Sequence, residues 1–169
     1  RSIAALGNVL PETEVKDNAV SYFMSEDDRN IYSAFIVKIN YAKFGEEAQS
    51  NIDLIKKKLE DAKRKADDAE SAILNANVYD ADTFKAQRDL NTSRVLMIES
   101  QGYLTLAEAV FAQEKFYPAF LLTNVSARLS EDAVDSAAEA EREANLQLRI
   151  ALNAKISQLE NMTASATPA

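Results

Sequence analysis

From Ala48 onward, apolar residues return at alternating intervals of four and three: Ala48, Ile52, Ile55, Leu59, Ala62, Ala66, Ala69, Ile73 and Ala76. An α-helix keeps positions so spaced on one face, and the pattern predicts a seam of the coiled-coil type with charged residues on the remaining faces. Upstream, Ile31, Tyr32, Phe35, Ile36, Val37, Ile39, Tyr41 and Phe44 make the chain apolar on most sides, which predicts burial on most sides. Gly45 stands between the two stretches and could either end a helix or sit inside one. No capping residue follows it, which favours one helix over 26–76, opened by Ser25 as N-cap with Glu26, Asp27 and Asp28 behind it.

Asn75, Asn77, Asp80 and Asp82 mark a reversal, with Asp80 or Asp82 suited to cap the next helix. That helix is expected over 80–124, carrying Phe84, Leu90, Met97, Leu104, Ala107 and Phe111, with a kink near Pro118. Folding back near Val78 sets Ile52 beside Leu104 and Leu59 beside Met97. A turn is expected between 123 and 130, and Ser130-Glu131-Asp132 reads as the cap of a last helix over 130–161. Its apolar face comprises Ala133, Ala137, Ala140, Ala144, Leu148, Ala151 or Leu152, Ile156 and Leu159. Residues 1–11 read as irregular, 12–24 as a short helix starting behind Pro11, and 162–169 as a frayed tail.

The predicted fold is therefore all-α: one domain over 12–161, an elongated antiparallel bundle of three to four helices. A last helix of this length reaches back only to the level of Glu99–Gln101. The stretch around 60–95 is accordingly expected to protrude as a two-helix coiled-coil hairpin. Composition agrees with the class, since Gly and Pro number three each, too few for the turns of a β-sandwich.

Composition also closes off chemistry. The chain has no Cys and no His, which removes thiolate nucleophiles, zinc–sulfur sites, Ser-His-Asp triads and the Glu-x-x-His di-iron motif. Its net charge of −8 argues against nucleic acid as a partner. The basic run Lys56-Lys57-Lys58 is interleaved with acids and reads as an ion-paired helix face. The carboxylates sit at caps and on charged faces, away from the burial that acid–base catalysis requires. Asp80-x-Asp82 lacks the third oxygen ligand of a calcium loop, because Phe84 occupies that place. No apolar run is long enough to cross a bilayer. Catalytic, cofactor and metal residues are accordingly assigned to none.

Three features remain as candidate sites. Val78, Tyr79 and Phe84 lie at the expected hairpin tip and form a candidate partner-binding anchor; alternatively Tyr79 packs on Phe84 to staple the turn. Tyr22, Phe23, Phe35, Phe111, Phe116 and Phe120 gather at the other end, as core or as the lining of an apolar ligand cavity. Asn91, Asn124 and Asn161 each begin an Asn-x-Ser/Thr sequon. The sequons favour a protein exported after loss of an N-terminal targeting segment, whereas the lack of disulfides pulls the other way. The chain begins with Arg1-Ser2, which could equally be a cloning remnant.

The expected function is a non-enzymatic structural or interaction role, in which the helices dock onto a protein partner or a second copy. The alternative is a carrier of lipid or another apolar molecule in the aromatic-rich end. A non-catalytic subunit of a larger assembly cannot be told from the first on these residues.

Overall fold

The computed structural model describes residues 26–166, with side chains described from 41 to 164. The expected helix 12–24, the Ser25 cap and the segment 1–11 lie outside the described residues. Three helices pack together, and no strand occurs among the described residues. They are α1 (Glu26–Val78), α2 (Phe84–Phe111) and α3 (Phe116–Ala166). At 53 and 51 residues, α1 and α3 are each about 75–80 Å long. The 28 residues of α2 span about 40 Å.

Both turns end the preceding helix in the same way. After α1, Asp80 adopts φ 59°, the Ala81 N–H donates to the Ala76 carbonyl and the Asp80 N–H to that of Asn77. After α2, Glu114 adopts φ 60°, while Lys115 N–H donates to Val110 and Glu114 N–H to Phe111. These are Schellman caps with an acidic residue at the left-handed position that glycine usually fills. Asp82 accepts the Phe84 N–H at 3.1 Å, but the N-cap position of α2 is held by Thr83, which makes no side-chain cap bond.

The second turn corrects the sequence reading. The chain reverses at 112–115, whereas 123–130 is helical and α3 is continuous. Pro118 causes no kink, because it falls in the first turn of α3, where a missing N–H has no partner to lose. Ser130 caps nothing. It is fully buried and its hydroxyl donates to the Ala127 carbonyl at 2.8 Å.

With its start moved to Phe116, α3 reaches the whole length of the α1–α2 pair. Lys58 meets Glu131, Lys85 meets Glu139 and Glu143, and Lys155 meets Asp80 beside the first turn. The stretch around 60–95, expected to protrude as two helices, is thus packed by a third. Ala66, Ala69, Ile73, Ala86, Leu90, Ala137, Ala140 and Ala144 form one buried cluster there. Ile52 and Leu104 share a second.

The core is built from small side chains. Along α3, Ala119, Thr123, Ser126, Ser130, Ala133, Ala137, Ala140 and Ala144 are all buried, alternating four and three apart. Along α2, Ala86, Leu90, Ser93, Ser100, Leu104 and Ala107 are buried in the same register, with partly buried Met97 filling the step between Ser93 and Ser100. Residues this small let backbones approach until a hydroxyl on one helix reaches a carbonyl on the next. Ser93 Oγ donates to Ala133 O at 2.7 Å. Ser100 and Ser126 donate reciprocally to each other's carbonyls at 2.9 and 2.8 Å. Every buried hydroxyl of this seam is satisfied, which removes the desolvation penalty of placing it there.

At the α2–α3 turn the packing changes character. Phe116 stacks within 5.3 Å of Phe111 and 5.8 Å of Tyr41, and Phe44 lies 5.3 Å from Phe120. The Phe116 ring sits directly on α1 at Gly45, where an added β-carbon would come within 3.2 Å of it. Gly45 therefore continues the helix, and its lack of a side chain makes room for the turn.

Candidate interaction surface

A core of alanine and serine leaves the large apolar side chains elsewhere, and many of them face outward. Leu54, Leu74, Val78, Phe84, Val95, Ile98, Leu106, Ile156 and Leu159 are each at least 47% exposed. Ile156 and Leu159 follow from length alone: α1 and α2 end near the Lys155–Asp80 contact, and α3 runs on past it.

The three helices differ in what they show on the side opposite the buried seam. On α1 that stripe reads Glu46, Ser50, Asp53, Lys57, Glu60, Arg64, Asp67 and Ser71, and only its last turn is apolar, with Leu74 and Val78 exposed. On α3 its middle reads Asn124, Arg128, Glu131, Asp135, Ala138, Arg142, Asn145 and Arg149, between Tyr117 and Leu121 at one end and Leu152, Ile156 and Leu159 at the other. On α2 it reads Phe84, Arg88, Asn91, Val95, Ile98, Gly102, Thr105 and Ala109, all exposed, with Arg88 the only charge. Phe84 and Ile98 are 75% and 74% exposed. A solvated helix face is normally charged, as on α1 and α3, and one that is apolar on both sides is usually covered on both. Two open depressions follow the stripe. One lies along it from Phe84 to Leu96; the other runs between α1 and α2, floored by Leu59, Met97 and Ile98 and rimmed by Lys56, Glu60, Lys63 and Gln101.

Of the residues expected at a hairpin tip, Val78 and Phe84 are exposed and Phe84 begins the α2 stripe. Tyr79 does not staple Phe84, which stands open to solvent. The Lys155 ammonium lies 5.6 Å from the Tyr79 ring centre instead, so the tip is tied to α3. Of the candidate cavity residues, Tyr22 and Phe23 and the side chain of Phe35 lie outside the described residues. Phe111, Phe116 and Phe120 pack against other rings and α1 as above.

Asn91, Asn124 and Asn161 are exposed, and Asn124 Oδ1 accepts from Asn51. The hydroxyls that complete the first two sequons, Ser93 and Ser126, belong to the buried seam. Small hydroxyl residues at core positions account for those two sequons, which therefore carry no independent message about compartment.

Several charges around the bundle are engaged, Arg88 of the α2 stripe with Asp89 among them. Lys56 pairs with Glu108 at 2.8 Å and Arg94 with Glu70 at 2.7 Å, and Arg64 pairs with Asp61. Glu139 is held well below the usual carboxylate range, at about 2, by hydrogen bonds from Arg142 and Lys85. Glu143 is lowered by hydrogen bonds from Gln147 and Lys85. Lys85, bonded to both acids, is raised. This cluster ties α2 to α3. No group of three Asp or Glu side chains suited to a metal ion occurs among the described residues, and no helix there is long and apolar enough to cross a membrane.

The sequence reading passed over Val95, Ile98, Gly102, Thr105 and Ala109. Their signal was a lack of charge opposite the α2 seam, legible only once α2 had been separated from α3. No family model matches the chain, and no curated protein or solved structure matches it either.

Proposed function

We propose that the chain is a non-enzymatic structural or interaction protein that presents the outward face of α2 to a macromolecular partner. The observation that carries this is the contrast among the three outward stripes: charges recur through most of the α1 stripe and the middle of the α3 stripe, whereas the whole α2 stripe carries Arg88 alone. A helix that stayed in water would gain solubility from charges at Val95, Ile98, Thr105 and Ala109 and would lose nothing in the core by having them. Their absence fits a face that is covered when the protein works. Protein partners suit it better than nucleic acid, because the net charge is −8 and the stripe offers one guanidinium for phosphates.

The test is a double variant, Val95→Glu with Ile98→Glu, compared with wild type in affinity capture from the native source. Both residues are exposed, so the fold and its helical circular dichroism should be retained. Capture of partners should fall at least tenfold. Undiminished capture by the variant would remove the α2 face from the function.

A further inference from the structure

From the shape and charge of the α2 stripe we infer that its occupant is a second copy of the same chain, with the two α2 helices antiparallel. This rests on the reading of that face as covered and names what covers it. The stripe is graded in size: its first half carries Phe84, Arg88 and Asn91, and its second half Gly102, Thr105 and Ala109. A two-fold axis between Val95 and Ile98 turns that gradient into a fit. Val95 then faces Ile98 of the other copy, Asn91 faces Gly102, Arg88 faces Thr105 and Phe84 faces Ala109. Every large side chain meets a small one, and the branched pair meets at the axis. Gly102 has open space above it, so a facing side chain can approach the backbone closely.

Charge selects the same direction. The first half of α2 holds Lys85, Arg88 and Arg94 against one acid, Asp89, and the second half holds Glu99 and Glu108. Antiparallel pairing lays the basic half of each helix beside the acidic half of the other, whereas parallel pairing would set Arg88 against its own copy. Lys85, Arg88, Asp89, Arg94 and Glu108 already have partners within the chain, so they choose orientation more than they add affinity. The contact is isologous, as a closed dimer requires.

Sedimentation velocity on the full chain over a concentration series tests this. A single helix pair is at the small, weak end of interface sizes, so dimer should appear by about 100 μM. Gly102→Lys should abolish it while leaving the melting temperature unchanged or higher, because in the monomer that position is open and helix propensity improves. Single cysteines fix the direction in a chain that has none of its own. Phe84→Cys mixed with Ala109→Cys should cross-link, and neither protein alone should. A wild type that stays monomeric at about 100 μM, a Gly102→Lys variant that still dimerises, or Phe84→Cys cross-linking to itself would overturn the inference. A monomer that still captures a partner through Val95 and Ile98 would defeat it and leave the proposed function standing; loss of both would defeat both.

Discussion

Replacing Glu114 by glycine distinguishes the observed topology from the one the sequence pattern favours, because the two demand opposite signs. In the structure Glu114 is exposed and adopts φ 60°. A side chain in that left-handed region costs about 1–2 kcal/mol, which glycine does not incur. Glycine gives back about 0.5–1 kcal/mol through the greater freedom of the unfolded chain. The net is a stabilisation of about 0.5–1 kcal/mol, or about 1–3 °C in melting temperature for a chain of this size. Were 80–124 one continuous helix, the same change would place glycine in a helix interior and cost about 0.5–1 kcal/mol. Thermal and urea unfolding followed by circular dichroism at 222 nm resolves the difference. Ala112→Gly is the control: at φ −62°, ψ −20° the residue is right-handed, so glycine should destabilise there. A lower stability for Glu114→Gly would refute the assigned turn, and with it the third helix alongside α1 and α2.

The two described glycines should respond differently to added side chains. Gly45→Leu should cost about 1–3 kcal/mol because the Phe116 ring blocks the position. Gly102→Ala should gain up to about 1 kcal/mol, there being no neighbour to meet; urea titration measures both. Ser100→Ala removes one limb of the reciprocal clasp with Ser126 and should cost about 1 kcal/mol, visible as a lower urea midpoint. Glu139 has a folded-state pKa lowered to about 2, so its contribution is full above the ordinary carboxylate range and lost as pH falls through that range towards 2. Melting temperatures of wild type and Glu139→Gln should therefore converge between about pH 5 and about pH 2. A gap that stays constant would contradict the assignment.

The all-α class and the α1 seam were legible in the sequence because they depend on local periodicity. Ala48, Ile52, Ile55, Ala62, Ala66, Ala69, Ile73 and Ala76 are buried where their spacing placed them. The boundary between α2 and α3 was not legible. Its cap uses glutamate where glycine is the usual signal, and Pro118 obeys the same steric rule whether it kinks a helix or opens one. Ser126 and Ser130 resemble turn and cap residues until a neighbouring backbone comes close enough to hide them. The candidate surface failed to appear for a related reason. An apolar residue such as Val95 or Ile98 suits a core equally well, and only the tertiary arrangement shows that alanine and serine already occupy that place. Chain periodicity determined that the chain is helical and which side of α1 is inward. What only the folded molecule decided is how closely the helices approach. Small side chains at the contact turn the bundle's larger apolar groups outward, and no local pattern records which of two apolar faces the neighbouring helices will cover.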